Sequence, residues 1–454
     1  MGRNFNWRTS RRRRIMRDKH IILLALIAFL LSASFNHSVK ANEPFELSLS
    51  SAILFALNNN PDVGIAKEQE RQAHYSIDEV RATLYPQAAI TANMGMQYND
   101  PAAGLTPVTS DVRTTNEISF LISQNVFDSF ATLEEIRQTK EQYKSSTYGT
   151  ELERQSVMVD VVTNYLTVLQ AQKDLTLQEK FILDMEDLVG QIRLQYEAGA
   201  AAKSKLDYAS ARLAFAKSQL TTARSTYRDT ISELEAITGK LPDFRAIEPD
   251  FLYAQKASLD DYINYVFKNN KELLQNEADK RALEHSLYAE KASLMPRLTL
   301  NVSGAQKQDD GGRTGLNREG KIDLQLNHTL YDGGASRIAQ KKILSQIKEL
   351  QFNDVRLAKD LRRDVKQLYN QLTASEENLI INAEEIQANK DLQKLNRQNF
   401  ESGSIDIIEL IEGEERLVAA KTRKHQLVTD IYRNTYELLL LIGLLDKDYF
   451  CRTC

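Results

Sequence analysis

Two different hydrophobic patterns divide the chain. The first is an alternation of apolar and polar residues, and it occurs in two pairs of segments. The segments are AITANMGMQY (89–98), the less regular EISFLISQNVF (117–127), RLTLNVS (297–303) and KIDLQLNHTL (321–330). A period of two is typical of a strand with one apolar face. We therefore predict two β-hairpins, over about 86–127 and about 296–331.

The second pattern is helical and follows each predicted hairpin. Two stretches, about 129–197 and about 333–401, contain no proline. In the later stretch apolar residues recur at steps of four, three and seven, which is a coiled-coil pattern. These residues are Leu361, Val365, Leu368, Leu372, Leu379 and Ile386. Each stretch predicts one helix of about 100 Å, at ~1.5 Å per residue.

A short motif closes each predicted long helix. The two motifs are YEAG (196–199) and FESG (400–403). Gly199 and Gly403 are expected to adopt the left-handed conformation that ends a helix. The predicted tip turns and the return helices after them cover 198–204, about 204–238, 402–406 and about 406–442. We expect Ser204, and Ser404 or Asp406, to cap the return helices.

The two halves of the chain form a tandem repeat. Similar residues meet at a shift of 210 positions before the hairpin loop and 204 positions after it, as in Tyr165 with Tyr369. Pro86 and Pro296 mark the boundaries between a helix pair and a hairpin, because proline cannot continue a helix. The predicted parts are a signal peptide (1–41), a first repeat (42–240), an inter-repeat linker (241–257), a second repeat (258–445) and a tail (446–454).

The N-terminus has the features of an export signal. Arg11 to Arg14 precede the apolar run IILLALIAFLL (21–31), and small residues permit cleavage after Ala41. The alternative is a membrane anchor, although the run is too short to span a bilayer comfortably. No cysteine follows the run directly, so we do not expect a lipoprotein anchor.

Charge and motif content exclude several function classes. The chain has 58 basic and 62 acidic side chains, and removal of the basic N-terminus leaves an acidic protein that is unsuited to nucleic acid. The stretch GAAAKS (199–204) lacks the spacing of a phosphate-binding loop. The six histidines form no paired metal motif, and Cys451 and Cys454 supply too few ligands for zinc. We predict no catalytic residues, no metal and no cofactor. The two cysteines could form a disulfide, and we favour the alternative of an inert tail.

Four strands per chain cannot close a barrel. The smallest bacterial barrels have about eight strands, so two, three or four chains would have to pool theirs. Periodicity alone does not choose between these numbers. The aromatic residues near the strand ends fit an aromatic girdle or, equally, ordinary strand-end packing. They are Tyr85, Tyr98, Phe127 and Tyr331.

The order of these elements resembles the TolC family of outer-membrane channels over about residues 45–445. The motifs that carry the resemblance are YP (85–86), YDGGAS (331–336), YEAG, FESG and LLLLIGLL (438–445). The resemblance implies a mainly helical fold with a small β portion. Three chains would form a periplasmic α-barrel of coiled-coil helices and a 12-stranded β-barrel in the outer membrane of a Gram-negative bacterium. The inter-repeat linker would lie at the equator of the α-barrel.

The resemblance also implies a function and partners. The homotrimer would be the exit duct of a tripartite export system and would contact outer-membrane lipid. A periplasmic adaptor (membrane fusion) protein would join it to an inner-membrane ABC or proton-driven transporter that sends proteins or small toxic compounds. Because it has no lipoprotein cysteine, the chain resembles the secretion branch of the family more than the lipoprotein efflux branch. The alternative is a periplasmic coiled-coil spacer or adhesin stalk without transport.

Three acids in the second tip are candidate entrance residues. Asp406, Glu409 and Glu412 are three residues apart, which places them on one side of a helix. Members of the family carry acids that line the entrance at the positions matching Glu409 and Glu412. The resemblance therefore implies an acidic ring in the trimer. The alternative is a solvated acidic face.

The tips also depart from the family pattern. Lys205 stands where relatives often carry an acid, and Ile405 stands where arginine is common. The family's closing ion pairs therefore do not transfer to this chain, and we expect Lys203 or Lys205 to pair with acids of a neighbouring tip. The residues expected to form the tip turns and the adaptor docking surface are Tyr196, Gly199, Phe400 and Gly403.

Overall fold

The computed structural model describes residues 45–99, 111–249, 258–309 and 315–445. The predicted signal peptide, the tail with Cys451 and Cys454, and most of both hairpin loops lie outside the described residues. The chain divides into two compact units. In the described part of the smaller unit, the Phe45 amide donates a hydrogen bond of 3.1 Å to the Asp243 carbonyl.

The same order of elements occurs twice. The helices are α1 (Leu49–Asn59), α2 (Pro61–Ala82), α3 (Ala131–Glu197), α4 (Lys203–Thr238), α5 (Leu259–Asn269), α6 (Lys271–Ala292), α7 (Ala335–Glu401) and α8 (Ile407–Leu441). The strands are β1 (Phe45–Leu47), β2 (Gln87–Asn99), β3 (Asp111–Phe127), β4 (Phe244–Ala246), β5 (Arg297–Gln308) and β6 (Leu316–Asn327). The long helices α3 and α7 have 67 residues each and begin 204 positions apart, which agrees with the predicted repeat.

Local sequence explains where these elements begin and end. Asn60 and Asn270 cap α2 and α6 by accepting hydrogen bonds from backbone amides in the first helical turn. Pro86 and Pro296 stand directly before β2 and β5, at the predicted helix–strand boundaries. At the start of α7, the Asp332 carboxylate accepts hydrogen bonds of 2.8 Å from the Gly334 and Ser336 amides. The Asp332 side chain thus satisfies backbone amides at the start of α7, where the chain passes from β6 into that helix.

The four long strands form one antiparallel sheet in the order β2-β3-β5-β6. Cross-strand partners such as Phe120 and Gly304 share a face, and the register places even-numbered residues on one side. We call this side the apolar sheet face, and it comprises Ile90, Met94, Ile118, Phe120, Ile122, Leu298, Leu300, Val302, Ile322, Leu324 and Leu326. The opposite, polar sheet face contains the ion pairs Lys307–Glu117 and Lys321–Asp323.

The core of the larger unit lies along α3. Tyr165 on this helix is fully buried, and its hydroxyl lies 2.6 Å from the carbonyl oxygens of Leu47 and of Ile247. The same hydroxyl accepts a hydrogen bond of 3.1 Å from the Ile247 amide. Burial raises the pKa of Tyr165, so the hydroxyl keeps its proton and can donate it. This one side chain fastens the chain segments that precede α1 and follow β4 to the middle of α3.

No helix in the described ranges is both long enough and apolar enough to cross a membrane.

Candidate functional site

The first tip turn is made by backbone hydrogen bonds. The Gly199 amide donates to the Tyr196 carbonyl at 2.9 Å, and the Ala200 amide donates to the Gln195 carbonyl at 2.7 Å. This pair of bonds is the Schellman motif, which needs a residue of positive φ just after the helix. Gly199 supplies it with a φ of +73°. The motif YEAG therefore ends α3 as predicted.

The second tip turn repeats this geometry in FESG. The Gly403 amide donates to the Phe400 carbonyl at 3.0 Å, and the Ser404 amide donates to the Asn399 carbonyl at 2.7 Å. Gly403 also has a φ of +73°. The two tips are thus the same turn at matching positions of the repeat.

The prediction of the capping residues is wrong for Ser204 and Ser404, whereas Asp406 occupies the predicted capping position. Ala202 and Asp406 are the capping residues of α4 and α8, and neither makes a side-chain capping hydrogen bond. Ser204 lies inside the first turn of α4, because that helix begins one residue earlier than expected. The Ser404 hydroxyl is within 2.9 Å of the Ser402 hydroxyl instead. In both tips, the backbone of the turn decides which residue precedes the return helix, and that residue makes no side-chain capping hydrogen bond.

The predicted charge pair between tips forms within one chain. The Lys205 ammonium lies 3.4 Å from an Asp406 carboxylate oxygen, and both side chains are 44% exposed. Lys205 is in the first turn of α4, and Asp406 immediately precedes α8, so the pair joins the two tips. Lys203 is exposed and makes no ion pair within the described residues. At this exposure the pair is worth at most about 1 kcal/mol.

The three candidate acids share the exposed side of the start of α8. Asp406, Glu409 and Glu412 are all exposed, and Glu409 and Glu412 have no ion pair in the part of the chain that the structure describes. Of the apolar residues between them, Ile407, Leu410 and Ile411 are buried, whereas Ile408 is exposed. The predicted acids are therefore brought together, although Asp406 alone has a cationic partner.

An apolar cluster connects the two tips beneath these charges. It joins residues of α3 and α4 to the beginning of α8. Its buried members are Phe181, Ile182, Met185, Leu188, Val189, Ile192, Ala209, Ala216, Ile407, Leu410 and Ile411. Phe400 packs against this cluster, whereas Tyr196 is 40% exposed. The two aromatic tip residues, although equivalent in the repeat, therefore have different surroundings.

The second hairpin, α7 with α8, has a polar interior at the matching level. Glu414 is only 4% exposed; it accepts a hydrogen bond from the Gln393 amide and lies 3.5 Å from the Arg397 guanidinium. Gln393 occupies the position that corresponds to Val189 in the first repeat. Burial raises the pKa of Glu414, and the hydrogen bond from Gln393 and the charge of Arg397 oppose this only in part.

Sequence reasoning missed Glu414 because it stands in the acidic run EGEE. A signal was present, since Glu414 lies seven residues after Ile407 and four after Leu410, both of which are buried. It also missed the ion pair of Arg212 with Glu415, which links α4 to α8 higher on the hairpins. No sequence spacing relates these two residues, because they belong to different repeats.

Comparison with known proteins identifies the family. The sequence profile of the family described as "Outer membrane efflux protein" matches residues 53–240 and 263–444, one segment in each repeat. The chain is 20% identical over 402 residues to the outer membrane efflux protein BepC of Brucella suis biovar 1 (strain 1330), covering 88% of this chain and 86% of BepC. It is also 20% identical over 418 residues to the alkaline protease secretion protein AprF of Pseudomonas aeruginosa, covering 89% and 86%.

Solved structures share the fold. CusC superimposes with a TM-score of 0.75 at 13% identity, over 90% of this chain and 95% of that one. The outer membrane protein VceC of Vibrio cholerae superimposes with a TM-score of 0.72 at 12% identity, over 87% and 96%. Because the family profile matches both repeats and most of the chain, this protein belongs to the outer membrane efflux protein family and has the TolC-like fold.

Proposed function

We propose that this protein is the outer-membrane exit duct of a tripartite export system. The family acts in the outer membrane. The observation that carries the proposal is the partition of the sheet into an apolar and a polar face. Side chains of the apolar sheet face are largely exposed, including Ile90 at 80%, Met94 at 81% and Ile322 at 74%. Such a surface is stable against lipid, while the polar sheet face lines a water-filled lumen.

The barrel is closed by three copies of the chain. In the described sheet, β2 and β6 each pair with a strand on one side only. Edge groups left unpaired in hydrocarbon cost several kcal/mol each, so the sheet must continue into neighbouring copies. Three copies supply twelve strands, and the long helices of each copy continue the same ring into the periplasm.

The tips are the periplasmic entrance and the docking surface for the adaptor protein. The Schellman turns at Gly199 and Gly403 fix the tip backbone, and the exposed Tyr196 is available for contact. In the trimer, three copies of Glu409 and Glu412 form an acidic ring. Asp406 is neutralised in part by Lys205 and contributes less to that ring.

The cargo is set by the inner-membrane ABC or proton-driven transporter that the adaptor recruits. Among the relatives, the name of BepC specifies efflux and the name of AprF specifies secretion of an alkaline protease. Both kinds of cargo, proteins and small compounds, fit such a duct.

Reconstitution tests the proposal directly. The full-length protein, purified from outer membranes as a trimer, is added to planar lipid bilayers. We expect stable, discrete conductance steps and a trimer that resists dissociation in detergent below its heat-denaturation temperature. Recovery of the protein as a soluble coiled coil that gives no conductance would instead favour the spacer or stalk alternative.

A further inference from the structure

A single charged side chain interrupts the apolar sheet face. Arg318 on β6 pairs in register with Gln306 on β5, and Gln306 pairs with Ile118 on β3. The Arg318 Nε donates a hydrogen bond of 3.2 Å to the Gln306 side-chain oxygen. Within the described strands, Arg318 is the one charged residue that the register places on this face. A guanidinium surrounded by lipid needs an anionic partner, and among the described residues Arg318 has only the neutral Gln306 amide as its hydrogen-bond partner.

The position of Arg318 along the strand identifies which part of the membrane it meets. It stands eight residues before Leu326 on the same strand and face. At ~3.3 Å per residue and a tilt of about 40°, this separation is about 20 Å along the membrane normal. The apolar band of such barrels is about 25 Å tall. With Leu326 at one edge of that band, Arg318 lies near the opposite rim. Because β6 continues from its other end into α7, this rim is the one facing the cell exterior.

A groove lies beside Arg318 on the same face. Gly304 and Gly320 pair directly with each other in the next row of that face, so no side chain stands between their neighbours. A Cβ added at Gly304 would collide with the Phe120 ring, whereas one added at Gly320 would meet nothing within 4 Å. The groove has a volume of about 380 Å³, and its lining includes Ile90, Phe120, Gly304, Gln306 and Arg318. Glu319 also borders it, from a position that the register assigns to the polar sheet face.

We propose that this groove binds a phosphate-bearing lipid of net negative charge in the outer leaflet. One acyl chain lies against Phe120 and the two glycines, and a phosphate oxygen pair accepts hydrogen bonds from the Arg318 guanidinium. The planar fork of arginine matches phosphate geometry, and Gln306 orients it. The inference rests on the proposed function only in that the apolar sheet face contacts the membrane.

The test measures lipid retention by the intact trimer. Wild-type protein and variants are reconstituted in vesicles that contain equal amounts of phosphatidylglycerol and phosphatidylcholine, and the lipids that remain bound after gentle detergent extraction are counted by native mass spectrometry. We expect wild-type protein to retain phosphatidylglycerol preferentially. Arg318→Gln should reduce that preference about fivefold, the effect of removing one cation near an anionic lipid surface. Arg318→Lys should retain part of it.

The matched control is Lys321→Gln. This substitution removes the same charge three residues away, on the polar sheet face. It should leave the lipid preference unchanged. Gly320→Leu, which fills the groove, should reduce retention of both lipids. Inorganic phosphate in excess should not displace the bound lipid.

Three outcomes would overturn the proposal. They are an unchanged preference in Arg318→Gln, an equal loss in Lys321→Gln, and displacement by inorganic phosphate, which would indicate a simple anion site. Each variant is also assayed in planar bilayers. Normal conductance with no lipid preference would reject the lipid site while leaving the duct function intact.

Discussion

At the scale of single residues, neighbouring acids in the second tip have very different environments. Glu409 and Glu412 are exposed, Asp406 contacts Lys205, and Glu414 is buried between α7 and α8. The sequence alone identified the first three as a group because they recur every three residues. It did not separate Glu414 from them, since burial depends on which face of α8 packs against its neighbours.

The exposed acids should control ion selectivity. Three copies of Glu409 and Glu412 at a narrow mouth concentrate negative charge and attract cations. We expect Glu409→Gln combined with Glu412→Gln to reduce the cation selectivity of single channels severalfold and to weaken block by trivalent cations. The control is Glu376→Gln with Glu377→Gln, the same charge change higher on α7. Wild-type selectivity and block in the tip variant would show that these acids form only a solvated face.

Glu414 should make the helix pair of α7 and α8 more stable in mild acid. Burial raises its pKa above the ordinary value of 4.5, so the folded protein holds this proton more tightly than the unfolded chain. Its contribution to the free energy of unfolding is therefore full below pH 4.5 and is lost as the pH rises through the raised pKa. Glu414→Gln, which cannot ionise, should raise the thermal midpoint at pH 7, and the gain should vanish near pH 4.

The neighbouring residue provides the contrast for this experiment. Glu415 makes an ion pair with Arg212, so Glu415→Gln should lower the thermal midpoint at pH 7 instead of raising it. The loss should correspond to about 1 kcal/mol or less, because both side chains are partly exposed. If both variants shifted the midpoint in the same direction at pH 7, burial would not be the dominant effect on Glu414.

At the scale of elements, one repeated sequence plan produces two different hairpins. Leu188 and Ile192 belong to a large apolar cluster in the first hairpin, whereas Asn382 and Glu414 are buried in the second. The Asn382 amide donates to the Ala420 carbonyl at 3.2 Å across α7 and α8. The lengths and ends of these helices followed from proline, glycine and hydrophobic period. The contents of their interiors did not, because side chains of the other repeat complete them.

The tip glycine should be required for its backbone conformation. Gly403 has a φ of +73°, and an added Cβ would meet nothing within 4 Å, so any penalty is conformational and not steric crowding by neighbours. Gly403→Val should cost about 1–2 kcal/mol and weaken crosslinking of the adaptor to the tip, without loss of the barrel. Gly190→Val is the matched control, because Gly190 is helical and equally open. Equal effects of the two variants on crosslinking would contradict a special role for the tip turn.

At the scale of the whole molecule, the internal duplication allowed most of the architecture to be predicted from the sequence. The constant shift of 204 positions placed both long helices and both tips, and it holds in the structure from α3 and α7 onward. Strand alternation predicted the two faces of the sheet. The pairing of β3 with β5, which joins the two hairpins into one sheet, carries no local sequence signal. Neither does the groove beside Arg318, which depends on two glycines meeting across strands.

The membrane topology follows from the direction of the repeats and can be tested on intact cells. Each long helix separates the β-hairpin of its repeat from the tip turn by about 100 Å. Duplication gives both repeats the same direction. The hairpin loops at 99–111 and 309–315 should therefore face the exterior, and the tips at 198–204 and 402–406 should face the periplasm. An epitope tag inserted in either loop should bind antibody on intact cells. A tag in either tip should bind antibody only after the outer membrane is permeabilised. The tagged proteins are compared at equal expression and equal channel conductance. Labelling of a tip tag on intact cells would overturn this orientation, since a helix of that length cannot place both of its ends outside the same membrane.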